Sequence, residues 1–197
     1  DHPLIIKVAS IPATRIQVYF IDNEDYFTKR LMARDENGKE YSDNGERAIF
    51  FARGVLETVK KLRWVPDIIH CQGWMCSVIP LYIKKAYQDE PSFANTKIVT
   101  SLFSEQLNDG LGERFKSSIN FRDVKSELLD AYGKDFGFAE LQKLAIDYSD
   151  GIIQVGNDVN PDFVKYAEEK GMPMIASPAE EDMGQVLDDF YNKVYGG

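Results

Sequence analysis

The sequence predicts an α/β fold in which helices cover both faces of a mostly parallel β-sheet. Short apolar segments rich in β-branched side chains alternate, along most of the chain, with longer segments of helical periodicity. Parallel strands need a crossover between them, usually a helix, and their sheet is buried on both faces. The 197 residues suffice for one domain with a sizeable core, and neither an internal repeat nor a linker interrupts them.

Six segments have the apolar and β-branched composition that is typical of strands. The first two, residues 4–10 and 15–22, are separated by a turn that contains Pro12. Each of the other four is short and stands next to a segment with helical periodicity, as the strands of a parallel sheet do. These four predicted strands are residues 66–70, 97–103, 151–155 and 173–177.

The segments between the strands supply the helices. The longest is predicted over 45–64, where apolar residues recur at helical spacing and Asp43-Asn44 offers a capping side chain. Pro80 is expected either in the first turns of the following helix or at a kink in it. The other helices are predicted over residues 74–88, 138–149, 160–170 and 180–196, with a short helix and a loop over 23–44 and pieces of helix, around 124–132, within 104–137.

The net charge of −9 argues against nucleic acid as a partner, because phosphate groups attract a basic surface. The same charge disfavours an anionic membrane surface, and no apolar segment approaches the roughly 20 residues that span a bilayer. Neutral ligands such as sugars remain compatible with it. The chain opens without a basic leader sequence and without Met, so we expect no signal peptide and a piece of a longer protein.

The cysteines and histidines give little support to a metal site or a covalent catalyst. Cys71 and Cys76 are the cysteines of the sequence, and such sparse use fits the reducing cytoplasm. With His70 nearby, they still lack the further ligands that a structural zinc needs. We therefore predict no metal, no cofactor and no Cys-His nucleophile pair, and we interpret both cysteines as buried thiols.

Residues 66–80, PDIIHCQGWMCSVIP, have the pattern of a strand that turns into a helix. An apolar pair, Ile68 and Ile69, precedes His70, and small and polar residues follow before Trp74. The carboxyl ends of parallel strands are where α/β proteins build their ligand sites. This stretch is therefore the first candidate for a functional site.

Three stretches, in this order, resemble the N-terminal domain of glycogen and starch synthases. The first is VYFIDNEDYFTKR (18–30), similar to a strand of the family that is followed by "id.p.lydR". The second is YSDNGERAIFFARGVLE (41–57), similar to "Y.DN.eRf.fFs.a.LE", and the third is WVPDIIHCQGWMCSVIPLYIK (64–84), similar to "w.PDIiH.HDWHt.l.P.ylk". The second stretch matches at Tyr41, Asp43, Asn44, Glu46, Arg47, Phe51, Leu56 and Glu57.

The resemblance implies a Rossmann-like three-layer sandwich, one half of a two-domain GT-B-type glycosyltransferase. It is close to the short synthase-like proteins of Bacteroides-type bacteria. It implies a retaining glucosyltransferase with ADP-glucose or UDP-glucose as donor and an α-1,4-glucan, glycogen or a maltooligosaccharide, as acceptor. It implies no cofactor, and it suggests as protein partners a second copy of the chain or an active synthase.

Two parts of the family have no counterpart that we find in residues 1–197. These are the glycine-rich Lys-x-Gly-Gly loop, which belongs upstream, and the C-terminal domain whose charged residues neutralise the donor diphosphate. Stabilisation of developing charge is usually the largest catalytic contribution. We therefore expect a single Rossmann-like domain that lacks an upstream strand-loop-helix segment and does not transfer glucose on its own.

Several family positions that contact sugar carry different residues in this sequence. In the third motif, His70 and Trp74 match the family. A histidine, an aspartate and a second histidine of the family correspond here to Gln72, Gly73 and Met75. Gln72 keeps hydrogen-bonding ability, whereas Gly73 has no carboxylate and Met75 has no proton to transfer.

In the next strand, Phe103 stands where the family has a histidine against the reacting glucose. A phenyl ring stacks on a sugar face but makes no hydrogen bond to its hydroxyl groups. The resemblance thus implies no catalytic residue in this chain. The substrate-binding residues that it implies are His70, Gln72, Gly73, Trp74, Phe103, Asp43, Asn44 and Arg47.

The matched residues also have structural interpretations, which remain open at the level of sequence. His70 fits a structural histidine at a strand end, and Trp74 fits the packing of a helix start. Asp43, Asn44 and Arg47 fit a helix cap with an ion pair on the first turn. For the protein as a whole, the alternative is a non-catalytic glucan-binding or regulatory module that keeps the synthase fold.

Overall fold

The computed structural model describes residues 1–196, which form two separate β-sheets. The strands, in chain order, are β1 (Ile5–Ser10), β2 (Gln17–Asp22), β3 (Ile68–Gln72), β4 (Lys97–Leu102), β5 (Gly151–Gln154) and β6 (Met174–Ala176). The larger sheet has the order β3-β4-β5-β6, and all its neighbouring strands are parallel. The predicted α/β class with a parallel sheet is thereby confirmed.

The helices are α1 (Asn44–Lys61), α2 (Ile79–Leu81), α3 (Phe115–Ser118), α4 (Phe138–Asp147), α5 (Pro161–Lys170) and α6 (Met183–Gly196). Shorter helical turns are Trp74–Cys76, Tyr82–Ala86, Pro91–Phe93, Ser126–Tyr132 and Glu180–Asp182. The helix predicted over 74–88 is thus broken into a 3₁₀ turn, α2 and a π turn. Because Pro80 has no N–H to donate to the turn before it, the helix restarts around this residue. Within residues 1–196, no helix combines the length and the apolar composition needed to cross a bilayer.

Helices cover both faces of the parallel sheet, as a three-layer sandwich requires. On one face, α6 places Phe190 and Val194 against Val99 of β4 and Ile153 of β5. Gly151 permits this close contact, since a Cβ atom there would lie 2.7 Å from a methyl carbon of Val194. The main core lies on the other face, where apolar residues of α1, α2 and α4 pack against the strands.

β1 and β2 form the smaller sheet, an antiparallel hairpin in which Ile5 lies opposite Asp22. The hairpin packs against α1 at Gly54, where a Cβ atom would lie 3.0 Å from side-chain carbons of both Leu4 and Ile21. Among residues 1–196, β2 pairs with β1 alone and β3 pairs with β4 alone. One edge of β2 and one edge of β3 are therefore free in this part of the chain.

The short helix predicted within 23–44 is wrong, because residues 23–43 form turns, bends and an isolated β-bridge between Arg34 and Glu40. Asn23 is fully buried, and its side-chain oxygen accepts a hydrogen bond of 3.0 Å from the main-chain N–H of Tyr26. This type of local hydrogen bond competes with a helix. In addition, three main-chain carbonyls of the segment accept hydrogen bonds from Arg47, so they do not serve as helical acceptors.

Candidate functional site

The carboxyl ends of β3 and β4 lie side by side and bring together several of the predicted site residues. β3 ends at Gln72, which pairs in register with Ser101, one residue before the end of β4. Gly73 comes directly after β3, and Phe103 comes directly after β4. Gln72 is exposed, and Gly73 and Phe103 are half-buried. These three residues therefore occupy the edge at which open α/β sheets bind their ligands.

The turn after β3 depends on Gly73, whose φ of 87° lies in the left-handed region that favours glycine. Trp74 then begins the 3₁₀ turn. Its side chain is 3% exposed and packs in the main core, as does the side chain of Met75. Trp74 thus fixes the position of the turn by packing, as its structural interpretation predicts, and its ring is buried in the core.

His70 lies inside the sheet, because β3 continues two residues beyond the predicted strand end, to Gln72. Its Nδ1 atom lies 2.6 Å from the hydroxyl group of Tyr191 in α6, and its Nε2 atom lies 2.7 Å from the hydroxyl group of Ser101 in β4. Burial lowers the pKa of His70 below its ordinary value. A neutral imidazole, donating from one nitrogen and accepting at the other, satisfies both contacts. His70 thereby connects β3, β4 and α6.

Arg47 and Asn44 hold the loop that precedes α1. Arg47 is 1% exposed, and it donates hydrogen bonds of 2.7 to 2.9 Å to the carbonyl groups of Tyr26, Leu31 and Met32 and to the side-chain oxygen of Asn44. Burial lowers the pKa of Arg47 to about 10. Asn44, also fully buried, donates to a carbonyl of the same loop. Both residues therefore shape the wall beside the strand ends.

Asp43 occupies the N-cap position of α1, but its side chain makes no capping hydrogen bond, so the predicted cap is absent. Its carboxylate instead accepts two hydrogen bonds from the guanidinium group of Arg30, one of them 2.9 Å long. Burial, the largest single effect, raises the pKa of Asp43, but the hydrogen bond and charge of Arg30, with smaller contributions from the main chain and Arg47, together lower it. A bidentate arginine pair is stronger than a hydrogen bond to one N–H, so it takes the carboxylate away from the helix.

A cleft of about 310 Å³ opens between the end of β2 and the end of β3. Ile21 lines it from β2, Gln72 lines it from β3, and Phe27, Phe51 and Met75 contribute apolar surface. The volume of this cleft is at the lower end of the range for ligand pockets, and its lining is apolar with a few polar groups. Both properties are compatible with a small organic ligand. Gln72 belongs to both the cleft and the strand-end edge, so the two are continuous.

A larger cavity, of about 570 Å³, lies away from the strand ends. Asp25, Asp43, Glu46, Asp109 and Glu113 line it, together with His2 and Arg114. Of the five carboxylates, the one of Asp43 is paired with Arg30, and the other four outnumber the single arginine of the lining. The resulting negative potential repels an anionic ligand such as a diphosphate. For this reason we place the candidate site at the strand ends, although the cavity there is smaller.

The structure adds one residue that the sequence analysis did not identify. Glu105 lies three residues after β4, and the main-chain N–H of Trp74 is near enough to its carboxylate to lower the pKa of Glu105 in part. A Cβ atom on Gly73 would lie 3.7 Å from one of the carboxylate oxygens of Glu105. The sequence places Glu105 just past the end of β4, which is a typical position for a site residue. Residues 104–137 show no periodicity, however, so the path of this loop could not be predicted.

Comparison with known proteins settles the family. The family model described as the starch synthase catalytic domain matches residues 2–173. The chain belongs to this family. This family membership confirms the resemblance that the three sequence stretches indicated. The matched residues run from the β1–β2 hairpin through α5 and include three of the four strands of the parallel sheet.

Individual members of the starch synthase family agree with this assignment. The glycogen synthase of Chlorobium luteolum is 43% identical over 100 residues, which are 50% of this chain and 20% of that protein. The glycogen synthase of Chlorobaculum tepidum is 33% identical over 148 residues, or 75% of this chain and 30% of that protein. The chain therefore spans a fifth to three tenths of the length of these relatives.

A solved structure shares the fold. The catalytic domain of starch synthase IV from Arabidopsis thaliana, bound to ADP and acarbose, superposes with a TM-score of 0.63 at 16% sequence identity. The match covers 89% of this chain and 37% of that one. The predicted half of a GT-B-type glycosyltransferase is thereby confirmed as a fold.

Proposed function

We propose that this chain is the acceptor-side domain of a glycogen synthase-type glucosyltransferase. The complete enzyme would transfer glucose from a nucleotide-glucose donor to an α-1,4-glucan with retention of configuration. The observation that carries the proposal is the family match over residues 2–173. The net charge of −9 agrees with a neutral glucan, rather than a polyanion, as the ligand of this domain.

The strand-end edge supplies the contacts to sugar in this proposal. Gln72 is exposed and offers an amide that both donates and accepts hydrogen bonds, as sugar hydroxyl groups require. Phe103 offers a ring for stacking on a sugar face, and Gly73 lets the sugar approach the main chain. Four further residues would hold this edge in place, because their side chains make contacts inside the protein. They are His70, Trp74, Asn44 and Arg47. Asp43 would act in the same way through Arg30.

Glucose transfer would require further parts of the enzyme, which we propose the complete protein or a partner synthase supplies. The first is a donor-binding domain with cations for the diphosphate of ADP-glucose or UDP-glucose, because the cavity of about 570 Å³ is lined mainly by acidic rather than basic side chains. The second is an upstream strand-loop-helix segment. The free edges of β2 and β3, with the cleft between them, would accommodate such a strand. The starch synthase solved with ADP and acarbose supports a nucleotide-sugar donor and a glucan acceptor as the ligands of the complete enzyme.

We further propose that the protein acts in the cytoplasm. Cys71 and Cys76 are both free thiols in the structure, and burial raises the pKa of Cys76 to about 11, so this thiol is protonated and unreactive at neutral pH. Free thiols of this kind are stable in a reducing compartment.

The test is incorporation of labelled glucose from ADP-glucose into glycogen by the full natural protein, with the 197-residue chain measured in parallel. We expect incorporation by the full protein and none, above an enzyme-free blank, by the chain alone. If the full protein incorporates no label with either ADP-glucose or UDP-glucose, the proposed activity is wrong. Glucan binding without any incorporation would then favour the alternative, a non-catalytic glucan-binding or regulatory module.

A further inference from the structure

The strand-end edge carries a carboxylate at the place where Gly73 has no side chain. A Cβ atom on Gly73 would lie 3.7 and 4.0 Å from the two carboxylate oxygens of Glu105. A side chain at position 73 would point toward this carboxylate. Glu105 comes from the loop after β4, so the ends of two neighbouring strands form one site. Gly73 leaves room for a ligand, and Glu105 provides a negative charge.

The Glu105 carboxylate has free acceptor capacity, since an ionised carboxylate offers about four lone-pair positions. The residue is exposed, but neighbouring protein atoms partly desolvate its carboxylate and raise its pKa. The nearby main-chain N–H of Trp74 lowers the pKa by less, and no cation among residues 1–196 contributes to the shift. A partly desolvated carboxylate without a cation beside it accepts a hydrogen bond from a ligand readily.

The surroundings select the kind of ligand. Glu105 and Gln72 are exposed, and Gly73 between them presents bare main chain. A fixed negative charge without a neighbouring cation repels a phosphate group, whereas it attracts hydroxyl groups, which donate hydrogen bonds. The amide of Gln72 complements it, because it serves a hydroxyl as donor or acceptor. A neutral polyhydroxylated molecule fits this pair of side chains.

We propose that Glu105 binds a hydroxyl group of a glucose unit at the carboxyl ends of β3 and β4, in the space that Gly73 leaves open. The inference rests on the proposed function, since it names the residue through which this domain would hold its glucan. It also changes the interpretation of Gly73: the site retains a carboxylate, supplied by a different segment of the chain.

The experiment is calorimetric titration of the protein with maltoheptaose at pH 7, for the wild type, Glu105→Gln and Glu168→Gln. Glu168 is an exposed carboxylate on α5 and serves as the matched control. A hydrogen bond to a charged group is worth enough that its loss weakens binding roughly tenfold or more. We expect this loss for Glu105→Gln and no change beyond about twofold for the control.

A pH series separates ligand binding from a purely structural role. Maltoheptaose does not titrate, so binding by the wild type should weaken as the pH falls through the raised pKa of Glu105, whereas binding by Glu105→Gln should lack this component. The neighbouring Cys76, with a pKa of about 11, stays neutral throughout. Equal affinity of wild type and Glu105→Gln would overturn the inference and leave the proposed function intact. An absence of binding by the wild type at millimolar maltoheptaose would also overturn the inference, whereas the proposed function is decided separately by glucose incorporation by the full protein.

Discussion

Replacing Arg47 by methionine tests whether this residue builds the loop beside the candidate site or contacts a ligand. The substitution keeps most of the side-chain volume and removes all the donors. Four acceptors then lose their partner: the carbonyl oxygens of Tyr26, Leu31 and Met32 and the side-chain oxygen of Asn44. A buried acceptor left without a partner costs roughly 1–3 kcal/mol, and water entering the loop recovers part of this.

From these contacts we expect Arg47→Met to lower the free energy of unfolding by about 4 kcal/mol. In a protein of this size, that corresponds to a Tm lower by roughly 10 °C. Urea denaturation followed by circular dichroism measures the change. Arg53→Met is the matched control, because Arg53 is an exposed arginine of the same helix that lies over the ring of Phe121.

The control should lose no more than about 1 kcal/mol, the scale of an exposed cation–π contact. Arg47→Lys should fall between wild type and Arg47→Met, since one ammonium group cannot reach all four acceptors. If Arg47→Met and Arg53→Met lose equal stability, the hydrogen bonds of Arg47 do not hold the loop. The structural interpretation of this residue would then be wrong.

Three further predictions concern the strand ends. His70 has a folded-state pKa below its unfolded value, so the free energy of unfolding should fall as the pH drops through about 6.5 toward the folded pKa. His70→Gln should weaken this dependence, measured as the difference between urea titrations at pH 7.5 and 5.5. Gly73→Asp should lower the free energy of unfolding by about 1–2 kcal/mol, because φ at this position is 87° and the new carboxylate approaches Glu105. Adding Glu105→Gln should restore part of this free energy, and full additivity of the two substitutions would show that the two carboxylates do not interact. Gly73→Asp with Phe103→His should leave the 197-residue chain inactive with ADP-glucose, and turnover above the wild-type level would show that this domain carries more of the mechanism.

The parallel sheet could be predicted because each of its strands is a short segment of strand composition that stands next to a segment of helical periodicity. The pairing of β1 with β2 outside that sheet could not, since composition marks a segment as a strand without naming its neighbour. The helix predicted within 23–44 failed for a tertiary reason. Arg47, which belongs to the next helix, takes the carbonyl groups that a helix there would need.

The candidate site shows a similar division. Gln72, Gly73 and Phe103 could be placed together from the sequence, because carboxyl ends of adjacent parallel strands share one edge. His70 was expected at that edge and lies inside β3, since a strand boundary shifted by two residues moves a side chain from the rim to the sheet. Glu105 was missed, because its position depends on the path of a loop whose sequence has no periodicity.

A titration of the ¹⁵N-labelled chain with maltoheptaose, followed by NMR, tests most directly where this domain binds a glucan. The account predicts concentration-dependent shifts of the amide signals of Gln72, Gly73 and Glu105, with smaller changes elsewhere. Shifts confined to the acidic cavity, at residues such as Glu113 and Arg114, would contradict it.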